Sequence, residues 1–235
     1  MCFFPREKVV RNIEQQYHDY TEEEKQILSE LRERALEILH TLENNSIHAF
    51  VHGSIARGDI SQTSDIDIYI PIKVPSYQID LVDEFAKADR QIIMGTPNSV
   101  IKAVLTKHDG VSISFPLSQP KERESEFYKF SGLLYLEDLL QERRIAGVNK
   151  KLLLIEPEGE GYWKSSVHAN RKRTIEILGL SQRIIDERIR VLERRDIIGR
   201  TGMFLDYNLH PNENFDQALK KISDRNVIVR RVLNR

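Results

Sequence analysis

The chain has 235 residues, enough for one large domain or two modest ones, each with its own core. Its 35 Lys and Arg against 36 Asp and Glu exclude a molecule that attracts polyanions as a whole, and its single cysteine, Cys2, excludes an intrachain disulfide or a cysteine-based zinc site. No apolar run approaches the length of a membrane span, and Met1–Phe4 is too short and too poorly flanked for a signal peptide, so the expected location is the cytoplasm, with no membrane partner.

Residues 1–20 show no clear period. Thr21 and Glu24 then form a capping box. Behind it Ile27, Leu28, Leu31, Ala35, Ile38, Leu39 and Leu42 recur at helical spacing, which predicts a helix ending at Glu43-Asn44-Asn45-Ser46. A strand is expected from Ile47 into Gly53-Ser54, and a short helix or turn over Ile55–Ile60. Arg57 within it has two readings, a contact to a triphosphate or an ion pair with Asp59.

Asp65 and Asp67 alternate with Ile66, Ile68 and Ile70. Alternation of this kind marks a strand buried on one face, with both carboxylates on the other. Two carboxylates that close repel one another unless a cation neutralises them. Oxygen-only ligands suit Mg²⁺, with nucleotide phosphates completing its shell. Gly53 lets a phosphate approach the backbone, and Ser54 adds a hydroxyl donor at the start of a helix.

Gly53-Ser54-Ile55-Ala56-Arg57-Gly58 followed by Ser64-Asp65-Ile66-Asp67 in a strand resembles the signature of the DNA polymerase β-like nucleotidyltransferase superfamily, and within it the minimal nucleotidyltransferase branch. The motif covers about twenty residues. The resemblance implies a small mixed sheet with helices. It also implies that Gly53 and Ser54 hold the phosphates of an NTP, and that Asp65 and Asp67 hold two Mg²⁺ or Mn²⁺ ions. The competing reading is a solvated strand with two surface Asp after an ordinary turn.

Farther along, the strand stops at Pro71 or Pro75. Ile79, Val82, Phe85 and Ala86 predict a second amphipathic helix, and Gly95-Thr96-Pro97-Asn98 breaks the chain. Ser99–Thr106 reads as a strand, His108-Asp109-Gly110 as a hairpin turn, and Val111, Ile113 and Phe115 as one face of the return strand. The resemblance would place a third carboxylate on that return strand, as metal ligand and base. Its slots hold Ser112 and Ser114 instead, and Asp109 lies in the turn. Helices are expected over 121–130 and 133–144, with Phe127, Tyr128 and Phe130 read as core packing rather than as a stack for a base, and a strand over 151–155. Glu156-Pro157-Glu158-Gly159-Glu160-Gly161 is expected to interrupt regular structure and to divide residues 1–160 from residues 161–235.

From Lys164 to Arg235 there are sixteen Lys and Arg against nine Asp and Glu, a balance of +7, leaving −8 for the remainder. Such asymmetry suggests different partners for the two parts. A helix over 171–178, a tight turn at Gly179 with Ser181 as cap, a second helix to Arg195, and a strand–turn–strand over 196–205 resemble a winged helix-turn-helix. Arg183, Arg188, Arg190 and Arg194, with Arg200 in the wing, are the candidate contacts to DNA or RNA. Equally, these Arg could pair with Asp186, Glu187 and Glu193 along the helix. Phe215, Ala218, Leu219 and Ile222 predict a further helix, and residues 227–233 a closing strand.

The expected fold is therefore α+β: a nucleotidyltransferase-like domain followed by a winged-helix-like one. The implied reaction moves a nucleoside monophosphate from an NTP to an acceptor hydroxyl, weakly if the third carboxylate is missing. Two rivals stand beside it, an NTP-sensing DNA-binding regulator without turnover and an antitoxin-type transferase that modifies a partner protein. The sequence does not fix the acceptor, the preferred NTP or the oligomeric state.

Overall fold

A computed structural model describes residues 9–199 and 201–234. It is a mixed α+β chain. The elements in order begin with β1 (Gln16–Asp19), α1 (Glu22–Asn44), β2 (Phe50–His52), α2 (Ser54–Arg57) and β3 (Ile66–Tyr69). Next come α3 (Ser76–Asp80), a 3-10 turn at Asp83–Phe85, β4 (Asp89–Met94), β5 (Lys102–Thr106) and β6 (Val111–Pro116). They are followed by α4 (Glu122–Ser131), β7 (Leu133–Tyr135), α5 (Leu136–Leu140), β8 (Gly147–Val148), β9 (Leu153–Glu158) and β10 (Gly161–Ser166). The chain closes with α6 (Arg171–Leu178), α7 (Gln182–Ile198), β11 (Leu205–Asn208), α8 (Phe215–Arg225) and α9 (Val227–Leu233).

These elements make two compact units that interleave along the chain. The first contains the described residues through Arg32, with His52–Thr63 and Arg123–Thr201; the second contains Glu33–Val51, Ser64–Glu122 and the described residues from Gly202 on.

The first unit is built on the antiparallel sheet β1-β10-β9-β8. Val148, Leu152, Leu154 and Val167 pack with Phe130 and with Ile184, Ile185, Ile189 and Leu192 of α7. The inward stripe expected of α7 is therefore real, and it shares one core with the sheet. The stretch expected to interrupt regular structure, 156–161, is instead the tip of the β9–β10 hairpin, with Gly159 at φ +52°. Pro157 sits in β9 opposite Tyr162.

The second unit carries the sheet order β11-β4-β5-β6-β3-β2, in which β3 and β6 are parallel while β4, β5, β6 and β11 are joined in antiparallel pairs. Ile66, Ile68, Ile92, Met94, Leu105, Ile113 and Phe115 are buried on one face. Phe115 meets Phe215 of α8 edge-on at 5.5 Å. From α1, Ala35, Ile38, Leu39 and Leu42 are buried as their spacing predicts, and Thr21 and Glu24 cap that helix reciprocally.

Four local expectations are corrected. The second amphipathic helix is broken into α3 and the 3-10 turn. The helix expected over 133–144 is cut to α5, with Leu133–Tyr135 in β7. Residues 196–198 are not a wing strand. They extend α7, closed by Gly199 N–H on the Arg195 carbonyl, while Leu205–Asn208 pairs with β4. Nor is 227–233 a strand: Asn226 Oδ1 accepts from the N–H groups of Ile228 and Val229 and starts α9, which buries Val229 and Val232.

Candidate active site

β2 delivers the chain to Gly53, whose backbone sits at φ +86°, ψ −140°, a region that only glycine enters cheaply. A Cβ there would meet nothing within 4 Å, so open space lies beside the backbone. Backbone conformation, not crowding, demands the glycine. Ser54, half-buried, begins α2. With four residues that helix has little dipole to offer. Its contribution is the first-turn N–H groups of Ser54, Ile55 and Ala56, which have no intrahelical acceptor.

The turn is held from behind by a buried network. Arg57 Nε and Nη2 both lie 2.8 Å from Asp59 Oδ1, and Nη1 donates to the Ser131 carbonyl at 2.5 Å. Asn149 Nδ2 donates to Asp59 Oδ2 at 3.0 Å. Burial pushes the Asp59 carboxyl above its ordinary range, against the opposing pull of Arg57 and Asn149. Tyr20 donates to the Gly58 carbonyl at 2.8 Å and accepts from Arg144, which also donates to the carbonyls of Gly159 and Gly161. Of the two readings for Arg57, the structure takes the ion pair. Its guanidinium is engaged by Asp59 and the Ser131 carbonyl.

The acidic pair lies in the second unit. Ile66 and Ile68 are buried, Asp67 is half-buried and Asp65 is exposed. Residues two apart on a strand share a face, so the two carboxylates point together, away from the core. The parallel register sets Asp67 beside Ser112 and Tyr69 beside Ser114. Ile66 N–H donates to the Gly110 carbonyl at 3.0 Å, and a Cβ on Gly110 would stand 3.9 Å from Asp65 Oδ1. Neighbouring strands lie about 4.7–4.9 Å apart, so Ser112 occupies the slot beside Asp67 where a further carboxylate would reach the pair. Asp109 does not substitute. It is held in the turn by Arg34 at 2.9 Å and by Lys107, which keep its carboxyl below the usual range against a partial desolvation.

Among the described residues no group of three or more His, Cys, Asp or Glu could hold a metal ion. Two carboxylates and a hydroxyl nonetheless fit Mg²⁺, which keeps several waters and takes substrate phosphates as ligands. The same sheet face carries Lys102, whose ammonium lies 5.2 Å from the Tyr69 ring. Its place in β5 follows from the alternation of Lys102–Thr106, but the sequence carries no signal that ties it to the acidic pair. Tyr20, Ser131 and Asn149 left no sequence signal, because they reach the turn from far along the chain.

On α7, Arg183, Arg190 and Arg194 are exposed. Arg188 is not with them. Its guanidinium stacks 4.8 Å from the Phe127 ring and 5.9 Å from Phe130, and burial holds it down to about 10. A half-buried, ring-stacked Arg is a packing element, so its expected place on the exposed side of the helix is corrected. Arg200 lies outside the described residues. Acidic groups of α7 pair off the helix, Asp186 with Arg171 and Glu193 with Arg11 and His168. No described helix is long and apolar enough to cross a membrane.

A family model described as nucleotidyltransferase domain matches residues 32–169. No curated protein and no solved structure matches the chain.

Proposed function

The chain belongs to the nucleotidyltransferase domain family, and from that premise we propose that it transfers a nucleoside monophosphate from an NTP to an acceptor hydroxyl, releasing pyrophosphate. The observation that supports this most is the strand β3, which presents Asp65 and Asp67 on the face opposite the core, inside the matched region.

In this reading the Gly53 backbone and the Ser54 hydroxyl and N–H seat the β- and γ-phosphates. Asp65 and Asp67 would hold the divalent ions. Bound Mg²⁺ or Mn²⁺ supplies charge neutralisation and polarisation of the phosphoryl group. The protein's own share is position: the Arg57–Asp59–Asn149 network fixes the turn, and the β3–β6 register fixes the carboxylates. The acceptor oxygen bonds to the α-phosphorus as the bond to pyrophosphate breaks. Ser112 can donate to a phosphate but is a poor base, so the acceptor proton leaves without a side-chain carboxylate beside Asp67. General-base assistance is worth about 10²–10⁴ in rate, so turnover is slow while NTP binding persists.

That same serine favours a second reading, an NTP sensor without turnover. Incubation with each α-labelled NTP, Mg²⁺ or Mn²⁺, and pools of RNA, DNA or protein separates the two. Transfer that disappears in Asp67→Asn supports the first; tight Mg·NTP binding without transfer supports the second. Unchanged Mg·NTP affinity in both Asp65→Asn and Asp67→Asn would remove the metal site and both readings with it. For a nucleic-acid acceptor, the contacting residues in this proposal are the exposed Arg183, Arg190 and Arg194.

A further inference from the structure

We propose a second, separate anion site in the first unit, a pocket for a phosphate group at the start of α6. It does not rest on the nucleotidyl-transfer reading. A cavity of about 160 Å³ is lined by Glu14, Gln15, Ser165, Ala169, Asn170 and Arg173. That is smaller than the roughly 300–1,000 Å³ of pockets for drug-sized ligands, and it suits one small group.

Two independent observations point to an anion. The first is Ser165. The residue is 2 % exposed, it lines the cavity, and its Oγ has no hydrogen-bond partner. A buried hydroxyl left unpaired is costly, and the usual remedy is a ligand or water that the site was built to hold. The second is the helix start. Asn170 is the N-cap of the eight-residue α6, yet its side chain makes no capping bond. The first turn reads Arg171-Lys172-Arg173 and holds no acid. Cations there oppose the helix dipole, and the unbonded N–H groups add to the positive field. Arg171 and Arg173 are partly neutralised by Asp186 and Glu156. The Asn170 amide donates to the Ser166 carbonyl at 3.4 Å, so an anion at the cap would satisfy Ser165 Oγ and the free first-turn N–H groups together. A cation is disfavoured by the same three basic residues. Glu14 and Gln15 are exposed, so the Glu14 carboxylate can turn to water.

The occupant is a phosphate group, either free or at the end of a nucleic-acid strand. Equilibrium dialysis of the full chain against labelled inorganic phosphate, at constant ionic strength set with chloride, should show one site. Ser165→Ala removes an unpaired hydroxyl, so it should fold normally and bind phosphate about tenfold more weakly. Asn170→Asp places a carboxylate at the cap. It should abolish phosphate binding while raising the melting temperature of the phosphate-free protein, because the acid answers the cationic first turn. Displacement of phosphate by a 5′-phosphorylated oligonucleotide, but not by its 5′-hydroxyl counterpart, assigns the group to a strand terminus; retention against both assigns the free ion. No phosphate binding by the wild type, or equal binding by wild type and Ser165→Ala, overturns the proposal.

Discussion

Replacing Arg57 with Met should destabilise the first unit severely. The Arg57 and Asp59 side chains are 6 % and 8 % exposed, and the pair is joined by two contacts of 2.8 Å. Removing the cation leaves a buried carboxylate served by Asn149 and a backbone N–H but by no opposite charge in the pair. Breaking a buried pair in this way costs about 3–5 kcal/mol. At about 2–4 °C per kcal/mol for a chain of this size, the melting temperature should fall by roughly 6–20 °C. Trp163, the only tryptophan, lies in β10 of the same unit, so its fluorescence reports the transition. The deficit should depend on pH. Burial already raises the Asp59 pKa, and without Arg57 it rises further. A raised folded value means the native state takes up the proton. Stability linked to this group is then complete below the unfolded pKa of about 3.9 and is lost as pH climbs through the folded one. The gap between variant and wild type should therefore narrow in acid. Adding Asp59→Asn to Arg57→Met removes the stranded charge and should recover at least half of the loss. A deficit under about 1 kcal/mol, the range of exposed pairs, would refute the reasoning. Such a result, joined to a large fall in NTP affinity, would return Arg57 to the phosphates.

Three further outcomes are expected. Ser112→Asp, in register with Asp67, should raise metal-dependent transfer by about 10²-fold or more with little change in NTP affinity, while Ser114→Asp, beside Tyr69, should not; equal gains from both would dissociate the effect from the register. Gly53→Ala should cost about 1–3 kcal/mol through backbone strain alone, since its Cβ meets no atom within 4 Å, and should weaken Mg·NTP binding in a direct titration. Replacing Arg183, Arg190 and Arg194 with Ala in the full chain should lower nucleic-acid affinity and flatten its salt dependence, whereas Arg188→Ala should act on stability, because that side chain packs on Phe127.

What the sequence determined by itself is local and periodic. The Thr21–Glu24 cap, the apolar stripe of α1, the alternation that turns Ile66 and Ile68 inward and Asp65 and Asp67 outward, and the Ser181 cap of α7 are written in neighbouring residues. Each was legible for that reason. The compound motif of Gly53-Ser54 and Asp65-x-Asp67 falls within the span that matches the family. Tertiary structure decided whatever depends on a distant partner. Asp89–Met94 has no alternation and becomes a strand only because β5 and β11 pair with its two edges. The strand–turn–strand expected over 196–205 gives way to helix at 196–198, and Leu205–Asn208 joins that sheet. The β-branched run at 227–233 looks extended, but Asn226 supplies the cap and Val229 and Val232 find a core on one helical face. Arg57 could not be assigned from its neighbours, because Ser131 and Asn149 lie far along the chain. Burial favours its pairing with Asp59, because desolvation makes leaving either charge unpaired costly.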